Sequence, residues 1–225
     1  MSEPALGFMT LAGAPPRASQ LHVDVWQVRL ALERSEADAA LRSLNASERA
    51  HALLLRSSAD QWVAGRAALR GVLGRYLCVE PTDVEMVNGA DGKPRLESPE
   101  RLDLRFNLSH SGDVALIAVR LGFDVGVDIE MVREGVDGSA IAHALFSADE
   151  RSEMTALAMG MDEREAFFRS WVRHEALAKA TGWGIASPVG GSVLGRYAVR
   201  DLDGIGGYAA AIASLGDDWS VALMP

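Results

Sequence analysis

Cysteine is nearly absent: Cys78 is the single thiol in 225 residues. A disulfide framework within the chain is therefore excluded, as is a metal site built on cysteines. Long apolar runs are missing too. Stretches such as Val114–Val119 are short, and none approaches the roughly 20 residues needed to span a bilayer. The first twenty residues hold no basic segment followed by a long apolar stretch, so they do not read as a signal peptide. A cytoplasmic protein without membrane attachment is expected. Positive charge is in deficit: 22 Lys and Arg stand against 31 Asp and Glu, a net charge of −9. Such a chain is a poor general binder of nucleic acid. An anionic small ligand would need a local cluster of Lys, Arg, metal ion or backbone N–H groups. The chain also lacks a G-x-S-x-G elbow. Ser109 and His110 are sequence neighbours, and neighbours on a strand point to opposite faces, so no nucleophile–base pair follows from them.

What is present begins with 48% apolar residues, enough for one good core or two small lobes sharing an interface. An internal echo favours two. Leu44-Asn-Ala-Ser-Glu-Arg49 resembles Phe146-Ser-Ala-Asp-Glu-Arg151. Each reads as a capping box, with Asn45 or Ser147 at the N-cap and Glu48 or Glu150 three residues on. Each is followed by a helical pattern in which Ala68-Leu69 and Gly74, or Ala176-Leu177 and Gly182, keep the same spacing. Each is preceded by a period-2 strand, Leu21–Val28 or Phe123–Ile129. The first half should close with strands at Phe106–His110 and Val114–Val119. The second should close with strands at Gly195–Arg200, Tyr208–Ala213 and Trp219–Met224. Segregated strands and helices indicate an α+β fold, with a boundary at 120–123 and a ligand in the cleft between lobes.

Three patches carry chemistry. In Val125-Gly-Val-Asp-Ile-Glu130, Val125, Val127 and Ile129 share one strand face, and Gly126, Asp128 and Glu130 share the other. Two adjacent carboxylates are unfavourable unless a cation lies between them, and oxygen ligands suit Mg²⁺. A solvated acidic edge is the plainer alternative. In Phe167–Gly184, Glu175 and Lys179 lie one helical turn apart, as a metal ligand or base with a phosphate contact, or as an ordinary exposed ion pair. Asp91-Gly-Lys-Pro94 reads as a turn displaying Lys93, and Asn107-Leu-Ser-His-Ser-Gly112 as a strand end whose hydroxyl, imidazole and N–H groups could cradle phosphate.

In this order, Gly92-Lys-Pro94, Phe106–Gly112, Val125–Glu130, Trp171-x-x-x-Glu175-Ala-x-x-Lys179 and Gly182-x-Gly184 resemble the 4′-phosphopantetheinyl transferases. The length is similar to the monomeric, two-lobed type that activates surfactin synthetase and similar assembly lines. The resemblance implies two pseudo-symmetric subdomains, 1–121 and 122–225, each a mainly antiparallel sheet packed with a long helix. The active site would lie between them and the metal site in the second. It implies Mg²⁺, or Mn²⁺, held by Asp128, Glu130 and Glu175, with Glu175 as base for a carrier serine. Lys179 and Lys93 would contact coenzyme A phosphates, Ser109 and His110 would line the nucleotide site, and Arg49 would face the 3′-phosphate. The implied partners are coenzyme A and acyl, peptidyl or polyketide carrier proteins. The family's W-x-x-K-E-A lysine is His174 here, which lacks a fixed positive charge. A non-catalytic coenzyme A-binding relative and a metal-dependent phosphohydrolase are the competing readings.

Overall fold

The computed structural model describes residues 16–55, 59–89, 93–97, 102–182 and 195–224. The first half begins with strand β1 (His22–Arg29), followed by helices α1 (Arg34–Ser43), α2 (Ala46–Ala52) and α3 (Ala59–Leu77). A short hairpin, β2 (Met86–Asn88) and β3 (Pro94–Leu96), leads to β4 (Leu104–Ser111) and β5 (Val114–Leu121). The second half repeats the plan with β6 (Val125–Met131), α4 (Gly138–Leu145), α5 (Ala148–Ala158), α6 (Glu163–Thr181), β7 (Tyr197–Asp201), β8 (Tyr208–Leu215) and β9 (Ser220–Met224).

Both capping boxes form. The Asn45 and Ser147 side chains accept from the Glu48 and Glu150 N–H groups, and each glutamate reaches back to its cap. Arg49 and Arg151 both fold onto the carbonyl five residues earlier, Leu44 and Phe146. An N-cap is worth about 0.5–2 kcal/mol, so the echo in sequence is an echo in local energetics. Helix α6 stops where Gly182 takes φ 73°, a left-handed C-terminal position that glycine fills without a Cβ penalty.

The sheets run β4-β5-β1-β9 and β6-β8-β7. They face each other through an apolar layer in which Val23, Val25, Leu116 and Ala118 meet Val125, Val127, Ile129 and Ile212. The outer face of the first sheet packs on α3 through Trp26, Leu69, Leu73 and Ile117. The outer face of the second packs on α4 and α6 through Phe167, Phe168, Val172 and Ala211. The order of layers is helix, sheet, sheet, helix. Arg120 ties the halves together: it is buried, and its guanidinium donates to the Gln20 carbonyl, the Ser214 hydroxyl and the Leu215 carbonyl.

One strand lies elsewhere than its place in the sequence indicated. The segment Trp219–Met224, expected to close the second half, forms β9 and pairs in parallel with β1 in the first sheet, Val23 opposite Val221. Alternation tells which residues share a face, but not which strand lies alongside. No helix among the described residues is long and apolar enough to cross a membrane.

Candidate active site

Strand β6 presents Gly126, Asp128 and Glu130 to α6. Gly126 is required there, because a Cβ would collide with the Ala176 carbonyl and the Ala180 nitrogen. The room beside the carboxylates is taken by helix backbone, and the acidic face is not a solvated edge: Asp128 is 3% exposed. Its Oδ1 accepts from the Ser109 hydroxyl at 2.7 Å and from Lys179 Nζ at 2.6 Å. Lys179 Nζ also donates to Ser109 Oγ at 3.0 Å. Asp128 Oδ2 is buried with no hydrogen-bond partner. An unpartnered buried carboxylate oxygen is costly.

Glu175 stands on α6 one turn before Lys179 and is 6% exposed. Burial pushes its carboxyl above the usual range, the Asp128 and Glu130 carboxylates push the same way, and Lys179 and His174 pull against them. Three anions therefore share one field, offset in part by the Lys179 ammonium. The Lys179 ammonium sits on Asp128 and Ser109, so the plain exposed Glu175–Lys179 pair is not what forms. Among the described residues no three His, Cys, Asp or Glu side chains stand as a finished metal cage. The unpartnered Asp128 oxygen, the all-oxygen donor set and the mutual repulsion nonetheless fit a hard divalent cation.

Beside this cluster opens a cleft of about 680 Å³ lined by α2, α3, the β2–β3 hairpin and β4. Lys93 and His110 line it, together with Ser47, His51, Trp62, Arg66 and Asn107. The carboxylates do not; β4 separates the two regions. Ser109 and His110 consequently part company. His110 lines the cleft, and Ser109 turns to Asp128. Lys93 is not displayed to solvent: its Nζ donates to the Val125 and Lys179 carbonyls, both at 3.1 Å. The Asp91-Gly92 part of its expected turn lies outside the described residues, as does Gly184. Arg49 is exposed with its guanidinium on Leu44, while its neighbours Asn45, Ser47 and Glu48 line the cleft. Glu48 accepts from Arg66 and Arg70, 2.5 and 2.6 Å away. Burial raises its carboxyl, but those two guanidiniums and the Asn45 N–H outweigh it and hold Glu48 below the ordinary range.

His174 is buried and occupied. Its Nδ1 lies 2.7 Å from Glu150 Oε1, and its ring packs on Phe146 and Trp171. Asn107, the first residue of the expected Asn107–Gly112 patch, lines the cleft, and three further residues that no functional expectation named join it: Arg66, His51 and Trp62. No motif or spacing signalled those three.

The model of the 4′-phosphopantetheinyl transferase superfamily matches residues 124–213, the stretch holding the carboxylates and Lys179. The chain is 34% identical over 177 residues to the 4′-phosphopantetheinyl transferase HetI of Nostoc sp., covering 76% of this chain and 74% of that protein. It is 39% identical over 132 residues to the 4′-phosphopantetheinyl transferase AcpT of Escherichia coli, covering 57% of this chain and 62% of that protein. It is 33% identical over 129 residues to the 4′-phosphopantetheinyl transferase psf-1 of Bacillus pumilus, covering 57% and 52%. With the HetI relative matched across three quarters of both chains, this protein belongs to the 4′-phosphopantetheinyl transferase family.

Proposed function

We propose that this transferase moves the 4′-phosphopantetheine group of coenzyme A to a serine of an acyl, peptidyl or polyketide carrier protein, at the cluster of Asp128, Glu130, Glu175 and Lys179. The observation that carries this reading is the buried Asp128 Oδ2, unpartnered beside two further carboxylates. Asp128, Glu130 and Glu175 would hold Mg²⁺, or Mn²⁺ in its place. When bound, the cation supplies positive charge against the pyrophosphate and the departing group.

The remaining chemistry belongs to the chain. The cleft beside β4 takes the nucleotide end of coenzyme A, with His110 and Lys93 in its wall, and Arg49, next to the lining residue Glu48, would turn from the Leu44 carbonyl to meet the 3′-phosphate. Glu175 is the base. A carboxyl pushed upward by burial is better matched to proton transfer near neutral pH than an ordinary one. It takes the proton of the carrier serine as the serine oxygen bonds to the β-phosphorus. The bond from that phosphorus to the bridging oxygen breaks, and 3′,5′-ADP leaves. Lys179 offsets the charge that gathers on the phosphoryl oxygens. The non-catalytic alternative drew on His174, and that side chain is engaged with Glu150, so no observation favours it. The protein is further proposed to act as a cytoplasmic monomer whose subdomains, 1–121 and 122–225, enclose the site.

The test is intact-mass analysis of apo-carrier proteins after incubation with the enzyme, coenzyme A and Mg²⁺. Conversion of apo to holo carrier, abolished by chelation, is expected. Coenzyme A breakdown without carrier modification would instead point to a phosphohydrolase, and no reaction on any carrier would sink the proposal.

A further inference from the structure

Strand β6 is the edge of its own sheet, with β8 on one side only. Its other edge faces β4, and that edge is met by side chains. Asn107 Oδ1 accepts the Val127 N–H at 2.8 Å. Ser111 Oγ accepts the Met131 N–H at 3.1 Å and donates to Glu130 Oε2 at 2.8 Å. Between them, Ser109 donates to Asp128. Residues 107, 109 and 111 share one face of β4 and meet β6 in step, two residues at a time. Asn107 is 6% exposed, so its bond is shielded from water.

This arrangement matters because strand register decides where side chains point. A slip of one residue would send Asp128 and Glu130 into the apolar layer and bring Val127 and Ile129 to α6. Pairing with β8 fixes one edge of β6. The β4 side chains fix the other, at the residues directly flanking Asp128 and Glu130. We propose that Asn107 and Ser111 are positioning residues for the divalent-cation site: from the first half of the chain they hold β6 so that Asp128 and Glu130 converge with Glu175. Neither need touch the cation or coenzyme A. The inference rests on the transferase reading above, deepening its account of the site.

The test measures Mn²⁺ binding without coenzyme A, by the electron paramagnetic resonance of the free ion, together with amide hydrogen exchange at Val127 and Met131 in the metal-free protein. Ser111→Ala and Asn107→Leu should each weaken Mn²⁺ binding by about 10–100-fold, as loss of an outer partner does at metal sites. Exchange should quicken at Met131 and Val127 respectively. Ser111→Thr, which keeps the hydroxyl, should restore both readouts. Quickened exchange with unchanged Mn²⁺ affinity would mean that the bonds only fasten the halves together, overturning the inference. Unchanged exchange would overturn it as well, and so would a parent protein that binds no Mn²⁺. If Asn107→Leu does not fold, the Ser111→Ala and Ser111→Thr pair decides alone. A parent that binds Mn²⁺ with the expected variant pattern yet modifies no carrier would sink the transferase reading and leave the positioning role standing.

Discussion

Strands β1 and β6 hold corresponding places, each with one face in the layer between the sheets and the other against a long helix. The helix-facing residues of β1 are Asp24, Trp26 and Val28; those of β6 are Gly126, Asp128 and Glu130. On the helices, the shared Ala-Leu to Gly spacing sets Ala67 and Gly71 of α3 against Glu175 and Lys179 of α6. One strand–helix unit thus holds an indole and a single carboxylate, Asp24, met by the Tyr76 hydroxyl and by His22, and the other holds three carboxylates and an ammonium. The first is the cheaper solution in free energy, because burying charge without full pairing opposes folding. The second is the site proposed for the transfer. The second unit keeps the buried apolar cluster of Phe167, Phe168, Val172 and Ala211 around its charged strand face.

The largest effect is expected of Asp128→Ala. Transfer should fall by at least about 100-fold, the loss expected when a preorganised charged group is removed, while the melting temperature holds or rises. Activity near the parent level in saturating Mg²⁺ would remove Asp128 from the site. Trp26→Ala is the mirror experiment. Trp26 is 1% exposed and donates to the Tyr76 hydroxyl, so the cost should be about 3–5 kcal/mol in urea unfolding, with little change in transfer per folded molecule.

Gly126→Ala sharpens the contrast with Asp24 in the other half. The added methyl would meet the backbone of α6 at Ala176 and Ala180, so about 1–3 kcal/mol of destabilisation is expected. Neutral stability on thermal melting would show that the helix can stand off from β6.

Glu175→Gln tests the strain itself. Glu175 has its carboxyl raised in the fold by burial and by the Asp128 and Glu130 charges. A raised folded value means that the folded state holds the proton more tightly than the unfolded chain. The parent therefore loses stability as pH climbs above the unfolded glutamate value of about 4.3. The glutamine variant escapes that loss. In chelator it should melt above the parent at pH 8 and level with it at pH 4, while transferring nothing. A parent that is the more stable of the two at pH 8 would contradict this.

The smallest effect belongs to His174. By the same spacing it corresponds to Arg66, and each meets the glutamate of its own capping box: Arg66 with Glu48, and His174 with Glu150. Burial raises Glu150, but His174 and the Ser147 N–H and hydroxyl prevail and hold it below the ordinary range. His174→Lys, which still offers Glu150 a hydrogen-bond donor, should leave transfer within about threefold of the parent. His174→Leu should cost about 1–3 kcal/mol by leaving Glu150 short of a partner. Equal melting temperatures for all three proteins would dismiss the pair.

Much of this was legible in the chain before folding. Capping boxes, the alternating Asp128–Glu130 face and the Gly182 stop are local signals, and local geometry produced them. The position of β9, the turning of Lys93 onto two carbonyls and the burial of the acidic face depend on neighbours far along the chain, which period and propensity do not encode. The twin roles of Arg66 and His174 were hidden for another reason: six more residues separate box from helix in the second half, so a fixed offset misses the correspondence.

The pairing of β9 with β1 has a consequence for how the molecule is made. Its partners, such as His22 and Ser220, stand almost 200 residues apart. Non-local pairing of this kind slows folding. During synthesis, β1 leaves the ribosome early and keeps an open edge until residues 220–224 follow. The first sheet can form with β4 and β5, but its β1 edge stays a template for stray strands until β9 arrives. Deleting residues 220–224 would therefore injure the first sheet, which is otherwise built from strands in the first half of the chain.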